Sequence, residues 1–383
     1  MRPVSIERRD VTVHMPRKPN RYAEPGNGIQ PNDEVYGRWA DQLDALPNGF
    51  PRTESGIEIR LLKKIARPDE AWLLGQLCRK PDSAEEIGAR VGLSSEEVKQ
   101  RLDAMLPRGV VGVEEKDGVD HYQLMPFMVG FYEAHRDRLD HEFTHLFEQY
   151  MMLQGARGIF GVDPPIFRVI PSQETVKSES ILPYDDVRAM LLEAKSFELI
   201  DCVCRHEQDV NKSRRCDFPL QVCLSFSKEE GAAGPHSISR ERALAILEES
   251  EELGLVHCVE NNVEDVDFVC NCCGCCCGIL RGITDWGIEN SVAKANYYVE
   301  IDPDECQGCQ TCIDRCQVNA ISIDDEELAV VDTPRCIGCG LCVSGCPEEA
   351  AILHRLPDSD LTHPPEDFES WGDERLRNRG LME

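Results

Sequence analysis

The chain has 383 residues, enough for two to four domains of about 100–200 residues each. Asp and Glu number 70 against 41 Lys and Arg, which gives a formal net charge of −29. Because this charge repels phosphate groups, it argues against non-specific binding of nucleic acid or anionic membrane surfaces, and it favours a protein partner with a basic docking face.

The 20 cysteines are the most informative part of the composition. The first residues contain no apolar segment, and Arg8-Arg9 is followed by Asp10, so neither a secretory nor a twin-arginine signal is predicted. No run approaches the ~18 apolar residues of a membrane helix. We therefore expect a cytoplasmic protein with no membrane span, in which cysteines bind metal rather than form disulfides.

Residues 1–55 are predicted to form an extended arm with one short helix. The stretch Met15–Arg21 contains two prolines and several charges, which excludes a regular helix there. A short amphipathic helix is predicted over Val35–Leu46, and Pro47-Asn48-Gly49 ends it.

Residues 56–130 are predicted to form a winged-helix-like domain of three helices and a hairpin. Ser83 and Glu86 form a capping box before the second helix, and Ser94 or Ser95 caps the third, Glu96–Leu106. The hairpin turns at Lys116–Gly118. The third helix is balanced in charge and the hairpin carries four acidic residues, Glu114, Glu115, Asp117 and Asp120. Since phosphates repel these residues, we favour protein docking over DNA recognition.

Residues 131–195 are predicted to be a helical connector. It contains His141-Glu142-Phe143-Thr144-His145, which matches the H-E-x-x-H pattern of zinc proteases. No third zinc ligand follows at the expected spacing, and Phe143, Phe147 and Tyr150 indicate an ordinary amphipathic packing helix. We favour that simpler interpretation.

Residues 196–285 are predicted to be a cysteine-rich domain. We expect it to bind at least one iron–sulfur cluster, in addition to the two clusters that residues 296–354 are predicted to bind. Adjacent cysteines point in different directions, so those between 270 and 277 cannot all bind one ion. The sequence leaves room for two clusters, and a single zinc site is the alternative. The Cys-Cys-Gly element also resembles the non-cubane cluster motif of heterodisulfide reductases, but the companion cysteines are missing upstream. The predicted ligands are Cys202, Cys204, Cys216, Cys223, Cys272, Cys273, Cys275 and Cys276.

Residues 296–354 contain the C-x2-C-x2-C-x3-C run of bacterial two-cluster ferredoxins twice. In that motif the fourth cysteine of each run binds the other cluster. One [4Fe–4S] cluster is therefore assigned to Cys306, Cys309, Cys312 and Cys346, and the second to Cys336, Cys339, Cys342 and Cys316. Gly308, Gly338 and Gly340 are expected to let backbone amides approach the clusters.

One position departs from the ferredoxin motif, because Cys316 is followed by Gln317 where proline is usual. We expect this change to loosen the corner and admit more water, without removing a ligand. The predicted strands are Tyr297–Ile301, Asn319–Ile323, Leu328–Val331 and Ala350–Leu353. Residues 355–383 are predicted to be a polar, flexible or partner-bound tail.

Five short segments are shared with a known group of proteins: Thr53–Gly56, Leu124–Phe127 with Phe131-Tyr132, Cys202-x-Cys204-Arg205, Gly254–His257 and Cys270–Cys276. Through them the chain resembles, over roughly residues 35–355, a family of multi-cluster [4Fe–4S] ferredoxin-like proteins of anaerobic bacteria and archaea. The resemblance implies an electron-transfer component of a larger redox enzyme.

Together these observations predict a multidomain α+β protein with a winged-helix-like N-terminal part, a cysteine-rich middle domain and a C-terminal ferredoxin fold. The predicted function is electron transfer by two [4Fe–4S] clusters and one or two further clusters, with no catalytic residue. Two alternatives remain, a redox-sensing winged-helix transcription regulator and an oxidoreductase with a catalytic middle cluster. No dinucleotide fingerprint, P-loop or serine nucleophile motif supports another chemistry.

Overall fold

The computed structural model describes residues 33–173, 175–176, 181–231 and 234–382, so the predicted arm before residue 33 lies outside the described residues. The chain divides into two compact units, which are described separately. The N-terminal unit contains residues 33–159 and 375–382, and the cysteine-rich unit contains residues 160–374. Every cysteine except Cys78 lies in the cysteine-rich unit.

The N-terminal unit is built mainly of short helices around one small sheet. None of the helices described in either unit is long and apolar enough to cross a membrane. The elements of the N-terminal unit are α1 (Asp33–Asp44), α2 (Ile57–Ile65), α3 (Pro68–Leu74), β1 (Asp82–Ser83), α4 (Ala84–Val91), α5 (Ser95–Asp103), β2 (Val111–Lys116), β3 (Val119–Leu124), α6 (Tyr132–Ala134), α7 (His141–Tyr150) and α8 (Ala156–Phe160).

Short-range sequence signals set the ends of these elements. The predicted capping box of α4 is confirmed, because the Ser83 hydroxyl accepts the Glu86 amide at 3.3 Å and the Glu86 carboxylate accepts the Ser83 amide at 2.8 Å. Strands β2 and β3 are joined by Asp117 and Gly118, whose φ angles of 52° and 78° suit a two-residue hairpin turn. Strand β1 pairs with β3, so the sheet order is β1-β3-β2.

Aromatic rings form the centre of the N-terminal unit. Phe127 is 1% exposed, and its ring centroid lies 5.0 Å from that of Phe50 and 5.2 Å from that of Phe131. Tyr132 stacks on Phe147 at 4.5 Å. Rings at these separations add stacking energy to the free energy of burying their apolar area.

Replacing Phe127 with Ala should lower the free energy of unfolding by about 3–5 kcal/mol, because it removes the ring shared by several aromatic contacts. Urea unfolding followed by near-UV circular dichroism measures this. Val113→Ala is the control, since Val113 is 45% exposed, and it should change stability by about 0.5 kcal/mol or less. Equal losses in the two variants would contradict the central role of Phe127.

The cysteine-rich unit combines one five-stranded sheet with two smaller sheets of two strands each. Its elements are β4 (Phe167–Ile170), α9 (Val187–Glu193), β5 (Ser196–Asp201), α10 (Val203–Val210), β6 (Gln221–Ser227), α11 (Arg240–Leu253), β7 (Val256–Glu260), β8 (Phe268–Cys272), α12 (Gly278–Thr284), β9 (Tyr297–Ile301), α13 (Thr311–Arg315), β10 (Ile321–Ile323), β11 (Ala329–Val331), α14 (Leu341–Ser344) and β12 (Ala351–Arg355), followed by α15 (Phe368–Asn378), which begins in this unit.

The five-stranded sheet is antiparallel with the order β4-β7-β8-β6-β5. Helices α9 and α11 contribute Leu191, Ile246 and Leu247 to an apolar core that also contains Leu224 and Val269 from the sheet. In β8 the side chains alternate, so Val269 enters this core while Cys270 and Cys272 point to the other face. The sheet therefore separates an apolar side from a cysteine-bearing side.

The two small sheets follow the predicted ferredoxin pattern. Strand β9 pairs with β12 along its whole length, and β10 pairs with β11. Helices α13 and α14 each begin inside one cysteine run. The strands predicted in this region are confirmed to within two residues at their ends.

The C-terminal residues make more buried contacts than we expected of the polar, flexible or partner-bound tail predicted for residues 355–383. Trp371 of α15 is 1% exposed, and its Nε1 donates a hydrogen bond to the Pro165 carbonyl oxygen at 2.9 Å. In the N-terminal unit, buried Arg375 donates to the carbonyl oxygens of Pro47 and Ile159 at 2.9 and 2.7 Å. Composition alone suggested solvent exposure, but these residues satisfy buried backbone acceptors.

Candidate metal centres

Four cysteines line the first ferredoxin-type cavity, a space of about 360 Å³ that includes its open mouth. Three come from the run that leads into α13, and the fourth follows α14. Gly308 has a φ of 64°, and a Cβ there would lie 2.3 Å from the Glu327 carbonyl oxygen, so the turn requires glycine. The lining cysteines are Cys306, Cys309, Cys312 and Cys346.

The second cavity, of about 340 Å³, is lined by the other predicted set, Cys316, Cys336, Cys339 and Cys342. Backbone amides point at its sulfurs: Ala320 N–H donates to Cys316 Sγ at 3.1 Å, and Gly338 N–H donates to Cys336 Sγ at 3.5 Å. Four thiols with amide donors are the ligand environment of a [4Fe–4S] cluster, so the residues of both cavities fit that group.

The two cavities differ in their exposure to solvent. Cys309 of the first cavity is exposed, and a hydrogen bond with the Thr311 hydroxyl lowers the pKa of its thiol. Burial instead raises the pKa of Cys339 in the second cavity to about 12. A thiol with that pKa stays protonated at pH 7 unless a metal cation favours the thiolate.

A third group of cysteines lies in the middle region and is compact. The sulfur atoms of Cys216, Cys273, Cys275 and Cys276 all lie within 4.8 Å of one another. The distance is 3.7 Å both from Cys216 to Cys276 and from Cys275 to Cys276. Cys216 lies between α10 and β6, and the other three follow β8. Arg215 braces the loop by donating to the Cys275 carbonyl oxygen at 2.8 Å.

The remaining cysteines of the middle region form a ring, which we call the thiol ring. Each thiol is in contact with the next in the order Cys202, Cys204, Cys277, Cys272, Cys270, Cys223 and back to Cys202. Cys258 of β7 lies beside the ring, opposite Cys270 in the sheet and in contact with Cys272. The predicted set of eight middle cysteines is thus divided between the compact group and this ring.

Sequence reasoning missed Cys270 and Cys277 as members of a site. Recognising β8 as a strand would have found Cys270, because residues two apart in a strand share a face and Cys272 was already a candidate. Cys277 precedes the first residue of α12, and no local signal links it to Cys204 in α10. That contact depends on how the helices pack.

Arg205 is a further functional residue that the cysteine pattern alone does not identify. Its side chain is fully buried between the compact group and the thiol ring, where it contacts the Cys273 thiol and interacts electrostatically with Cys202. It also donates to the carbonyl oxygens of Pro219 and Asn271 at 3.0 and 2.8 Å. Burial alone would lower the pKa of Arg205, but Cys273 and Cys202 outweigh burial and raise it, so the guanidinium stays charged.

Gln317 holds the ferredoxin-type region against the compact group, contrary to the expected loosening. It is 6% exposed; its Oε1 accepts the Gly274 amide at 3.0 Å, and its Nε2 donates to the Gly254 carbonyl oxygen at 2.9 Å. A Cβ at position 274 would lie 1.7 Å from the Gln317 carbonyl oxygen, so only glycine fits. Gln317 therefore joins the residue after Cys316 to the residue between Cys273 and Cys275.

The H-E-x-x-H motif belongs to a packing helix in the N-terminal unit. His141 and His145 stack with their centroids 6.3 Å apart, while Glu142 pairs with Lys64 at 3.0 Å. His145 Nε2 is hydrogen-bonded to Gln149 at 2.9 Å. Within the described ranges, no group of three metal-ligating side chains includes these residues.

Comparison with known proteins identifies one region. Residues 299–353 match the family model of the 4Fe-4S dicluster domain, and this range includes all eight cysteines of the two cavities. No curated protein and no solved structure matches the chain significantly. The matched domain and the cysteine groups make this an iron–sulfur protein.

Replacing Gln317 with Ala should lower the urea midpoint for loss of the cluster chromophore, because it leaves the buried Gly274 amide and Gly254 carbonyl unpaired. The expected cost is about 1–3 kcal/mol. Visible absorption under anaerobic conditions measures it. Gln100→Ala is the matched control, since Gln100 is an exposed glutamine of α5 that lines neither cavity. Identical midpoints for the two variants would show that the Gln317 contacts contribute nothing.

Proposed function

We propose that this protein transfers single electrons, as a subunit or partner of a larger anaerobic oxidoreductase. The observation that carries the proposal is the pair of four-cysteine cavities inside a segment that matches a 4Fe-4S dicluster domain. Each [4Fe–4S] group, when bound, takes up and releases one electron. In each cavity, three cysteines come from one cysteine run and the fourth comes from the other run.

The protein's own residues would hold the clusters and set their potentials. The first cluster is assigned to Cys306, Cys309, Cys312 and Cys346, and the second to Cys316, Cys336, Cys339 and Cys342. Gly308, Gly338 and Gly340, all with positive φ, bring the backbone close to the sulfurs. Amide donors and burial around the sulfurs then adjust the reduction potential.

We place electron exchange with the partner at the first cavity, because Cys309 is exposed there. Asp304 and Glu305 are exposed just before the first cysteine, and Glu348 lines the same cavity. These acidic residues would attract a basic docking face and raise the rate of encounter. Gln317 supports an electron path that continues from the second cavity, because it links that cavity to the compact group.

We propose that the protein acts in the cytoplasm.

The second candidate is a winged-helix transcription regulator. The element order α3-β1-α4-α5-β2-β3 supports it, because it contains three helices followed by a hairpin. The basic side chains of α4 and α5, however, are already paired with acidic ones. Lys99 of α5 contacts Asp120, Arg101 pairs with Glu97 at 2.5 Å, and Arg90 pairs with Asp82 at 2.8 Å. We propose that this region docks a protein rather than DNA, because these cations are not available to phosphates.

The catalytic-cluster alternative requires an iron with an exchangeable ligand. The compact group offers four sulfurs around one centre, which leaves no open position there. The thiol ring offers six thiols, more than the four that hold a [4Fe–4S] cluster, so no iron bound there needs an exchangeable ligand. We therefore propose no substrate chemistry for either group of cysteines.

Cys309→Ala should remove one cluster, lowering anaerobically measured iron and acid-labile sulfide by about four each per chain. The dithionite-reduced EPR spectrum should simplify, since the magnetic interaction between two neighbouring clusters is lost. Cys78→Ala is the control, because Cys78 is an exposed cysteine of the N-terminal unit. Unchanged iron in the Cys309 variant would overturn the ligand assignment.

The full chain should give no electrophoretic shift with random or promoter-derived duplex DNA at physiological salt, in either the cluster-loaded or the apo form. The reason is the acidic net charge together with the paired cations of α5. A salt-sensitive, sequence-dependent shift would instead establish the regulator.

A further inference from the structure

The spacing of thiols differs between the cysteine groups, and this spacing is informative about what each can bind. A tetrahedral ion with metal–sulfur bonds of about 2.3 Å places its four sulfurs roughly 3.8 Å apart. The compact group has sulfur–sulfur distances of 3.7 Å and none above 4.8 Å. Its size is that of a site for one ion.

The ferredoxin-type cavities provide an internal comparison. Among the residues that the structure describes, the compact group is the only one in which three or more ligand atoms all lie within 4.8 Å. The cysteines of the two cavities are therefore more widely spaced, as they must be when each sulfur binds a different iron of a cluster. The chain thus contains one group of closely spaced sulfurs, the compact group, and two groups of more widely spaced sulfurs, the ferredoxin-type cavities.

The thiol ring is an open arrangement rather than a compact group. Each sulfur contacts two neighbours, yet no three ring members are mutually within 4.8 Å in the described part of the chain. Six thiols around a closed path cannot all reach one ion, because tetrahedral sites use four ligands. All six cysteines are free of disulfides.

The thiol ring is largely buried and lies beside a buried cation. Cys202, Cys272 and Cys277 are at most 8% exposed, and the fully buried guanidinium of Arg205 lies beside Cys202. These surroundings suit an iron–sulfur cluster, whose reduction potential depends on solvent exposure and on nearby charge.

We propose that the middle region holds two separate metal centres of different nuclearity: a single tetrathiolate-bound ion in the compact group, and a polynuclear iron–sulfur cluster in the thiol ring. The ring cluster would draw its ligands from Cys202, Cys204, Cys223, Cys270, Cys272 and Cys277. The ion in the compact group would be zinc or iron, the metals that four thiolates favour. This inference rests on the proposed function as an iron–sulfur protein, and it assigns the two additional centres to different residues.

The test is metal analysis of the full chain purified without oxygen, with iron, acid-labile sulfide and zinc measured per chain and Mössbauer spectra recorded on ⁵⁷Fe-grown protein. The double variant Cys270→Ala/Cys277→Ala should lose two or more irons with a similar amount of sulfide. The variant Cys275→Ala should lose one metal ion and no sulfide. In both variants the iron and sulfide of the ferredoxin-type cavities should remain.

Cys258→Ala is the matched control for removal of a buried thiol, because Cys258 is 0% exposed and lies beside the ring without being one of its six assigned ligands. It should retain all metal. Should the ring double variant misfold, Cys270→Ser alone keeps the side-chain volume and should still change the ring's Mössbauer component.

The possible results separate the two proposals. Iron and sulfide near eight each, unchanged in the ring variants, would overturn the ring cluster and leave the electron-transfer proposal intact. Loss of acid-labile sulfide in Cys275→Ala would overturn the single-ion assignment. Absence of iron from the wild-type chain would instead overturn the proposed function itself.

Discussion

Buried thiols can lie side by side as thiolates only if positive charge compensates them, and this requirement governs the cysteine-rich unit. Burial raises the pKa of Cys312 to about 11 and that of Cys339 to about 12, so both thiols are neutral at pH 7 without a cation nearby. Bound metal supplies that cation in the proposed sites. Arg205 adds a fixed positive charge where the compact group and the thiol ring come closest.

The two proposed middle centres would also depend on each other electrostatically. The guanidinium of Arg205 interacts both with Cys273 of the compact group and with Cys202 of the thiol ring. Because the protein interior screens charge weakly, negative charge on one centre would disfavour an electron arriving at the other. The charge of the ion in the compact group would therefore help to set the reduction potential of the ring cluster.

Signals within short stretches of the sequence predicted local structure well, but the sequence did not reveal contacts between distant segments. The capping box of Ser83 and the C-x2-C-x2-C-x3-C spacing within each cysteine run depend on residues a few positions apart, so the sequence alone reveals both. The thiol ring brings Cys204 of α10 to Cys277, which precedes α12, and no local sequence pattern encodes that contact. Gln317 was misjudged for the same reason: its partners, Gly254 and Gly274, lie 63 and 43 residues away.

The contacts of Gln317 limit how freely the dicluster domain can be exchanged between proteins. A ferredoxin segment cut out at residue 296 would leave this glutamine facing water beside Cys316, without its two backbone partners. Conversely, the loop at Gly274 tolerates no side chain while the Gln317 carbonyl oxygen lies against it. The two segments must therefore change together, and recombination between relatives would succeed only when both are inherited as one block.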